Sequence, residues 1–300
     1  MKEVQEKYKG VNSIKFNTYF KEEVDCYRYL ASIKWDESHY ICSKCGYLKY
    51  CKGKKPYSRR CIKCRYDESP TAGTMFDKCK FSLLIAFHIA FKISTKKKGM
   101  SSLELSQEFE LRQPTCWEFK WKIQQAMQSS KQHALKGEVQ VDEFYIGGPE
   151  EQKRGRSKGN KRLVVLAIEK VKGGVGKAYA QLIEHASAKD FKPFFNDYIS
   201  KDAKVLTDEW RGYLPLKKQY PNLQQVPSNE GENFPDLHIH IMNLKGWLRG
   251  IHHHCSKERL QGYLDEYHYR YNRRNNMETI FHLLIKRMVE NEPKRLKSVN

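Results

Sequence analysis

Two aspartates stand at strand positions in the second half of the chain. Asp142 lies near the middle of the alternating segment "GEVQVDEFYIGG", and Asp208 lies at the carboxyl end of the short segment "AKVLTDEWRGY". Carboxylates on adjacent strands can hold hard cations such as Mg²⁺. Phosphoryl transfer can use two such ions, one at the attacking oxygen and one at the leaving oxygen. The pair is therefore a candidate site for metal-dependent phosphoryl transfer, although a single aspartate of this kind is more often a turn or solvent residue.

A histidine and a lysine share one face of a helix further along the chain. The segment "FPDLHIHIMNLKGWLRG" starts with a proline break and then has the pattern of an amphipathic helix. His238 and Lys245 are seven residues apart, which is two helical turns, so they lie on the same face. By itself this pattern also fits a solvated histidine followed by an exposed lysine.

Four cysteines form a second constellation near the amino terminus. "CSKCG" supplies Cys42 and Cys45, "CIKC" supplies Cys61 and Cys64, and fifteen residues separate the two pairs. Each CxxC turn can direct two thiolates at one ion, and two such turns complete a tetrahedron. The spacing predicts a zinc ribbon whose Zn²⁺ is structural, because four protein ligands leave no open position. Cys51 lies between the pairs and is not expected to bind the metal.

The charge of the chain favours a polyanionic partner. The formal net charge is +20, from 55 Lys and Arg against 35 Asp and Glu. A strongly basic balance is typical of proteins that bind nucleic acid. No acidic residue lies between Lys44 and Arg65, so phosphate contact is expected around the ribbon, although a solvated basic surface fits as well. The residues predicted to contact DNA are Lys54, Lys55, Arg59, Arg60, Lys96, Lys97, Lys98, Arg154, Arg156, Lys245, Arg273 and Arg274.

Export and membrane insertion are not expected. The start of the chain lacks an apolar signal-peptide region, and the longest apolar run, Phe81 to Ile93, is too short for a span. Nine clustered cysteines without an export signal indicate metal ligation rather than disulfides. We expect a cytoplasmic, nucleoid-associated protein without a membrane partner.

The elements that position these residues follow from periodicity. A buried helix over Phe81 to Ile93 is predicted first, and then two helices around the turn "RQP", with the second running from Pro114 to about Met127. This helical middle is like a helix-turn-helix, a pattern that also occurs as simple helix packing. Three strands, a helix, a further strand and more helices then give an α/β order. Asp265 and Glu266 are expected on the solvated face of a late helix.

The ordered set of motifs resembles the insertion-sequence transposases of the ISXO type. The matching pieces run from about Trp35 to Arg274 and include "CSKCG", "CIKC", "TAGTMF", "KKGMSSLELS", "VDEFYIGG", "KRGRSKGNKR", "TDEWRGY", "LHIHIMNLKGWLRGIHHH" and "YLDEYHYRYNRR". The resemblance implies a zinc ribbon and a DDE-type, ribonuclease-H-like catalytic domain, with Asp142 as the first catalytic carboxylate and Asp208 as the second.

The same resemblance implies a multidomain α+β and α/β fold. The ribonuclease-H-like part is expected to be a mixed sheet flanked by helices. The expected division is an amino-terminal segment (1–34), a zinc ribbon (35–72), a helical DNA-binding or linker region (73–132), and a catalytic domain that includes the carboxyl-terminal helices (133–300).

The third catalytic position departs from the family's usual glutamate. The family register gives His238, with Lys245 seven residues on as a cation for DNA phosphate. Imidazole can ligate a metal, but Mg²⁺ prefers oxygen and Mn²⁺ accepts nitrogen more readily. Glu230, Glu232 and Asn243 stay open as alternative ligands.

The expected function is that of a DNA transposase. It would bind the terminal inverted repeats of a bacterial-type insertion sequence and carry out metal-dependent strand cleavage and transfer with Mg²⁺ or Mn²⁺. Its partners would be double-stranded DNA, both element ends and target, and further copies of itself in an oligomer on DNA. The rival hypotheses are a non-catalytic zinc-ribbon DNA-binding protein derived from a transposase and a metal-dependent DNA nuclease.

Overall fold

The computed structural model describes residues 7–35, 40–147, 161–252 and 255–292. The chain divides into two compact units, one made of residues 1–127 with 275–300 and the other of residues 128–274. Along the described residues, no helix is both long and apolar enough to cross a membrane.

An aromatic core holds the helices of the first unit together. Phe16, Phe20, Phe87 and Phe281 are fully or almost fully buried, and neighbouring rings pack with centroids 5.0 to 5.8 Å apart. Edge-to-face contacts at such separations are the preferred aromatic geometry. The helices of this unit are α1 (Ser13–Tyr19), α2 (Glu23–Lys34), α3 (Leu83–Thr95), α4 (Ser102–Phe109), α5 (Gln113–Met127) and α9 (Ile280–Glu290).

The last helix corrects the expected division of the chain. The sequence grouped all carboxyl-terminal helices with residues 133–300, but α9 lies in the first unit. The physical reason is burial, because Phe281 of α9 has no solvent exposure and sits among the aromatic rings of α1, α2 and α3. The expected four-part division otherwise stays a prediction.

The helical middle contains the expected pair of helices around a short turn. Ser101 and Glu104 cap the start of α4 reciprocally. The turn opens at Glu110 with a left-handed φ of +51°, and α5 begins at Gln113. A role for α5 in binding DNA stays a prediction.

A small antiparallel sheet forms the expected ribbon. Its strand order is β1-β2-β3, and Tyr50 pairs with Cys61 in the register of the first two strands. The strands are short, so the sheet alone buries little apolar surface. They are β1 (Tyr50–Lys52), β2 (Arg59–Cys61) and β3 (Asp67–Glu68).

A mixed five-stranded sheet forms the second unit, as the α/β order predicts. The strand order is β6-β5-β4-β7-β8; β4, β5 and β6 pair antiparallel, whereas β7 runs parallel to both β4 and β8. Helix α6 covers one face of the sheet, and α7 and α8 cover the other. The elements are β4 (Glu138–Ile146), β5 (Arg162–Val171), β6 (Gly174–Ile183), α6 (Ala188–Tyr198), β7 (Lys204–Thr207), β8 (Leu223–Gln225), α7 (Pro235–Ile251) and α8 (Lys257–Tyr271).

The predicted solvated face of α8 is wrong. Asp265 is 9% exposed and Glu266 is fully buried, and Glu266 accepts a hydrogen bond of 2.7 Å from the guanidinium of Arg270. On the same helix, His268 donates from Nδ1 to the carbonyl of Leu264, which leaves its Nε2 to accept from His240 of α7 at 3.1 Å. A buried charge needs a partner, and the i,i+4 spacing of Glu266 and Arg270 supplies one.

Candidate active site and metal centre

Asp142 and Asp208 occupy matching positions on neighbouring parallel strands. The register of β4 and β7 pairs Val141 with Thr207, and each aspartate is the next residue along its strand. Asp142 still lies inside β4, opposite Leu166 of β5, whereas Asp208 is the first residue after β7. Parallel strands in register therefore bring the two predicted carboxylates side by side.

Both aspartates project to the face of the sheet that α7 covers. Side chains alternate along a strand. Val141 belongs to the core under α6, and Phe144 belongs to the core under α7, so Asp142 shares the α7 face. In β7, Val205 packs with the α6 core and Leu206 with the α7 core, which places Asp208 on the α7 face as well.

Helix α7 presents His238 to this face. The helix begins at Pro235 and is anchored by Leu237, Ile241, Leu244 and Leu248, whose spacing makes one buried stripe. His238 Nε2 lies 3.6 Å from Asp142 Oδ2, and their side chains are 41% and 24% exposed. The pair is thus open to solvent on one side, as a site for a large substrate must be.

The rival ligands differ in their placement. The carboxylate of Glu232 accepts a hydrogen bond of 2.6 Å from the amide of Asn229 and lies at the surface. Asn243 is exposed on α7, and the side chain of Glu230 lies outside the described residues. His238 is therefore the candidate that the structure places beside Asp142.

Lys245 lies two turns after His238, as expected, and is half-buried. Its Nζ is 5.1 Å from the centre of the Phe144 ring. Burial lowers the pKa of Lys245, and the nearby charge of Arg249 lowers it further, whereas the carboxylate of Asp142 opposes both effects. The charge of Lys245 therefore interacts with the carboxylate of Asp142, which places a positive charge at the edge of the site that the two aspartates form.

The four predicted cysteines converge on one point. Sγ of Cys42 is 3.6 Å from that of Cys64, the same distance separates the sulfurs of Cys45 and Cys61, and all four lie within 4.8 Å of one another. Two sulfurs bound to a tetrahedral Zn²⁺ at about 2.3 Å are about 3.8 Å apart, so the cluster fits zinc. Cys51 is exposed in β1 and lies outside the cluster.

Comparison with known proteins assigns a family to the second unit. The family model described as "ISXO2-like transposase domain" matches residues 134–272 of the chain. Residues 134–272 form an ISXO2-like transposase domain. No curated protein matches the chain. Among solved structures, the chain is similar to one titled "Crystal structure of a pre-cleavage Mos1 transpososome", with 10% identity, 96% of this chain and 98% of that chain covered, and a TM-score of 0.27, which is too low to support an argument.

Gly231 of the transposase domain is a residue that the motif pattern did not indicate. It ends a 3-10 helix (Asn229–Gly231) before α7, with a φ of +96°. A Cβ at this position would lie 2.5 Å from His238 Nδ1 and 2.6 Å from its Cε1. The imidazole thus occupies the space that a side chain would take. In the sequence, Gly231 is marked only by its place between the two alternative ligands Glu230 and Glu232.

Glu143 and Tyr213 are two further residues that the motifs did not single out. The hydroxyl of Tyr213 donates to Glu143 Oε2 at 2.7 Å, and Tyr213 is fully buried. Both stand inside the quoted motifs "VDEFYIGG" and "TDEWRGY", next to or shortly after the aspartates, but their contact joins residues 70 positions apart.

The basic residues predicted to bind DNA around the ribbon fall into two groups. Lys54 and Lys55 are exposed in the turn between β1 and β2. The guanidinium of Arg59 lies 4.2 Å from the Tyr50 ring, and Arg60 pairs with Asp67 at 3.4 Å. The two lysines are the more available to a phosphate, because both arginines already contact protein groups.

The remaining basic candidates are spread along the chain. Lys96, Lys97 and Lys98 are exposed after α3, and Arg154 and Arg156 lie outside the described residues. In the second unit, just after the matched segment, the guanidinium of Arg273 lies 3.8 Å from the Tyr269 ring. Arg274 stacks on Tyr271 and donates to the carbonyl groups of Val175 and Gly176. DNA contact by these residues stays a prediction.

Proposed function

We propose that this protein is a DNA transposase of a bacterial-type insertion sequence. It binds the terminal inverted repeats, cleaves DNA at the element ends and transfers the freed strands to target DNA. The observation that carries the proposal is the in-register placement of Asp142 and Asp208 on parallel strands of a transposase domain, with His238 3.6 Å from Asp142.

The donor set fits divalent metal ions. Two carboxylates are the ligands that Mg²⁺ and Mn²⁺ prefer, and a neutral imidazole favours Mn²⁺. Two ligands that each lie about 2.1 Å from one ion are about 3 Å apart at right angles and about 4.2 Å apart when opposite. The distance of 3.6 Å between His238 Nε2 and Asp142 Oδ2 falls within this range. When bound, such ions stabilise charge on the phosphoryl, attacking and leaving oxygens.

The chain's own groups bind and orient the DNA strand. Asp142, Asp208 and His238 would hold the ions where the Asp142 and His238 side chains reach solvent, and Lys245 would place a positive charge near the scissile phosphate. Water attacks the phosphodiester at the element end and releases a 3′-hydroxyl. That hydroxyl then attacks a target phosphodiester in line, so that one phosphoester bond forms as another breaks.

Other parts of the chain supply recognition and architecture. The ribbon takes a structural Zn²⁺ on its four cysteines, and its exposed lysines, together with the helical middle, contact the element ends. The mixed sheet with helices on both faces supports a ribonuclease-H-like catalytic fold. Since two ends must be joined, the active form is an oligomer on DNA.

A strand-transfer assay tests the proposal. Labelled element ends and a target plasmid are incubated with the protein and Mg²⁺ or Mn²⁺. Joined product is expected from the natural chain and from Asp202→Asn, an exposed aspartate that serves as the matched control, but not from Asp142→Asn. Cleavage without joining would instead identify a nuclease, and binding without cleavage under both metals would overturn the catalytic role.

A further inference from the structure

Strand pairing fixes Asp142 more firmly than Asp208. Asp142 lies inside β4, which pairs with β5 along its whole length. The pairs of β7 with β4 and β8 end at Thr207, one residue before Asp208. The position of the second carboxylate therefore depends on the segment that follows β7.

Side-chain hydrogen bonds hold that segment in place. The carboxylate of Asp208 accepts a hydrogen bond from the backbone N–H of Trp210 at 3.1 Å. The backbone carbonyl of Asp208 accepts another from the side-chain amide of Gln225 at 3.2 Å. The indole of Trp210 donates to the carbonyl of Ala186 at 2.8 Å. These bonds tie the segment to β8 and to the loop before α6.

The contact of Tyr213 with Glu143 ties the same segment directly to β4. Tyr213 lies five residues after Asp208, and Glu143 directly follows Asp142. The Tyr213 ring stacks on Phe191 with centroids 4.4 Å apart and planes 6° apart, which fixes the direction of its hydroxyl. Burial raises the pKa of Tyr213 well above its ordinary value, and the charges of Glu143 and Asp142 raise it further, so the hydroxyl stays a donor.

We propose that Tyr213 and Glu143 are positioning residues that hold the Asp208 segment against β4. Through this contact the two catalytic carboxylates keep the spacing that divalent ions require. Consecutive residues of a strand point to opposite faces, so Glu143 faces the α6 side while Asp142 faces the site. Glu143 thus acts through Asp208 rather than on the substrate, and the role rests on the proposed function of the two aspartates.

Manganese binding to the full-length protein tests the role without DNA. Mn²⁺ affinity is measured by electron paramagnetic resonance, with cleavage and thermal unfolding measured in parallel. Tyr213→Phe keeps the buried ring and removes the hydroxyl, and is expected to weaken Mn²⁺ binding and cleavage about 10–100-fold, as loss of a supporting hydrogen bond does at metal sites. Tyr220→Phe, a second fully buried tyrosine of the same core, is the matched control and is expected to bind Mn²⁺ normally.

Substitutions of Glu143 separate positioning from charge. Glu143→Gln keeps an oxygen that accepts from Tyr213 and is expected to stay within about threefold of the natural affinity, whereas Glu143→Ala is expected to match Tyr213→Phe. Equal damage from Gln and Ala would overturn the positioning role, as would normal Mn²⁺ binding by Tyr213→Phe or equal loss in Tyr220→Phe.

The failure of the inference is distinguishable from that of the proposed function. If Asp142→Asn abolishes Mn²⁺ binding while Tyr213→Phe leaves it intact, the metal site stands and only the positioning role falls. If Asp142→Asn binds Mn²⁺ as the natural protein does, both fall.

Discussion

Gly231→Ala is expected to lower DNA cleavage about a hundredfold through His238 alone. The new Cβ would lie 2.5 Å from His238 Nδ1, whereas ordinary contacts of a Cβ start at 3.4 Å, so the imidazole must move by about 1 Å. A displacement of that size at a catalytic group costs about 10²-fold in rate. The φ of +96° adds backbone strain of about 1–2 kcal/mol, which lowers the free energy of unfolding without unfolding the chain.

The assay is the rate of cleavage of a labelled element end at saturating Mn²⁺. Gly246→Ala is the matched control, because no atom lies within 4 Å of the Cβ it would add and alanine favours a helix. In a His238→Ala background, Gly231→Ala should cause little further loss, since the two changes act through one side chain. Refutation would be a Gly231→Ala protein with natural activity, or one whose hundredfold loss persists in the absence of the imidazole.

Three further perturbations follow from the contacts. Cys61→Ser or zinc chelation should unfold the ribbon, because metal binding supplies the folding free energy of such short sheets. Near-ultraviolet circular dichroism and zinc content measure this, with Cys51→Ser as the control that should keep both. A ribbon that stays folded without zinc would contradict the prediction. Burial lowers the pKa of His268 to about 4, below its ordinary value of 6.5. His268 is therefore neutral in both the folded and the unfolded chain above pH 6.5, where its contribution to stability is complete. As the pH falls from 6.5 towards 4, the unfolded chain binds the proton more readily, and the free energy of unfolding falls by about 1.4 kcal/mol per pH unit. Chemical denaturation at pH 7 and pH 5 should show that the free energy of unfolding depends less on pH in His268→Phe than in the natural protein. An unchanged pH dependence would contradict the role given to His268. Glu266→Ala should lower the free energy of unfolding by about 3–5 kcal/mol, because its buried partner Arg270 keeps its charge. Glu290→Ala, in an exposed i,i+4 pair with Lys286, should lower it by less than about 1 kcal/mol. Equal losses for the two variants in chemical denaturation would refute this reasoning.

Local patterns in the sequence determined the parts of the site that depend on neighbouring residues. The spacing of the four cysteines predicted a cluster that the structure confirms, because ligand geometry is encoded within each CxxC turn. The alternation around Asp142 predicted a strand, and the repeat from Leu237 to Leu248 predicted a helix, because burial on one face imposes a period. The resemblance in motif order to ISXO-type transposases is confirmed over residues 134–272.

Only the tertiary structure decided which distant groups meet. Charge alone predicted Glu266 to be solvated, but packing of α8 on the sheet buries it with a partner one turn away. The missing side chain of Gly231 makes room for His238, and the Tyr213–Glu143 hydrogen bond joins residues 70 positions apart. Such contacts leave no periodic signal, since nothing in the local sequence constrains which side chain arrives from another element. The sequence thus determined the ribbon and the strand and helix that carry the catalytic candidates, whereas the folded sheet decided their spacing and support.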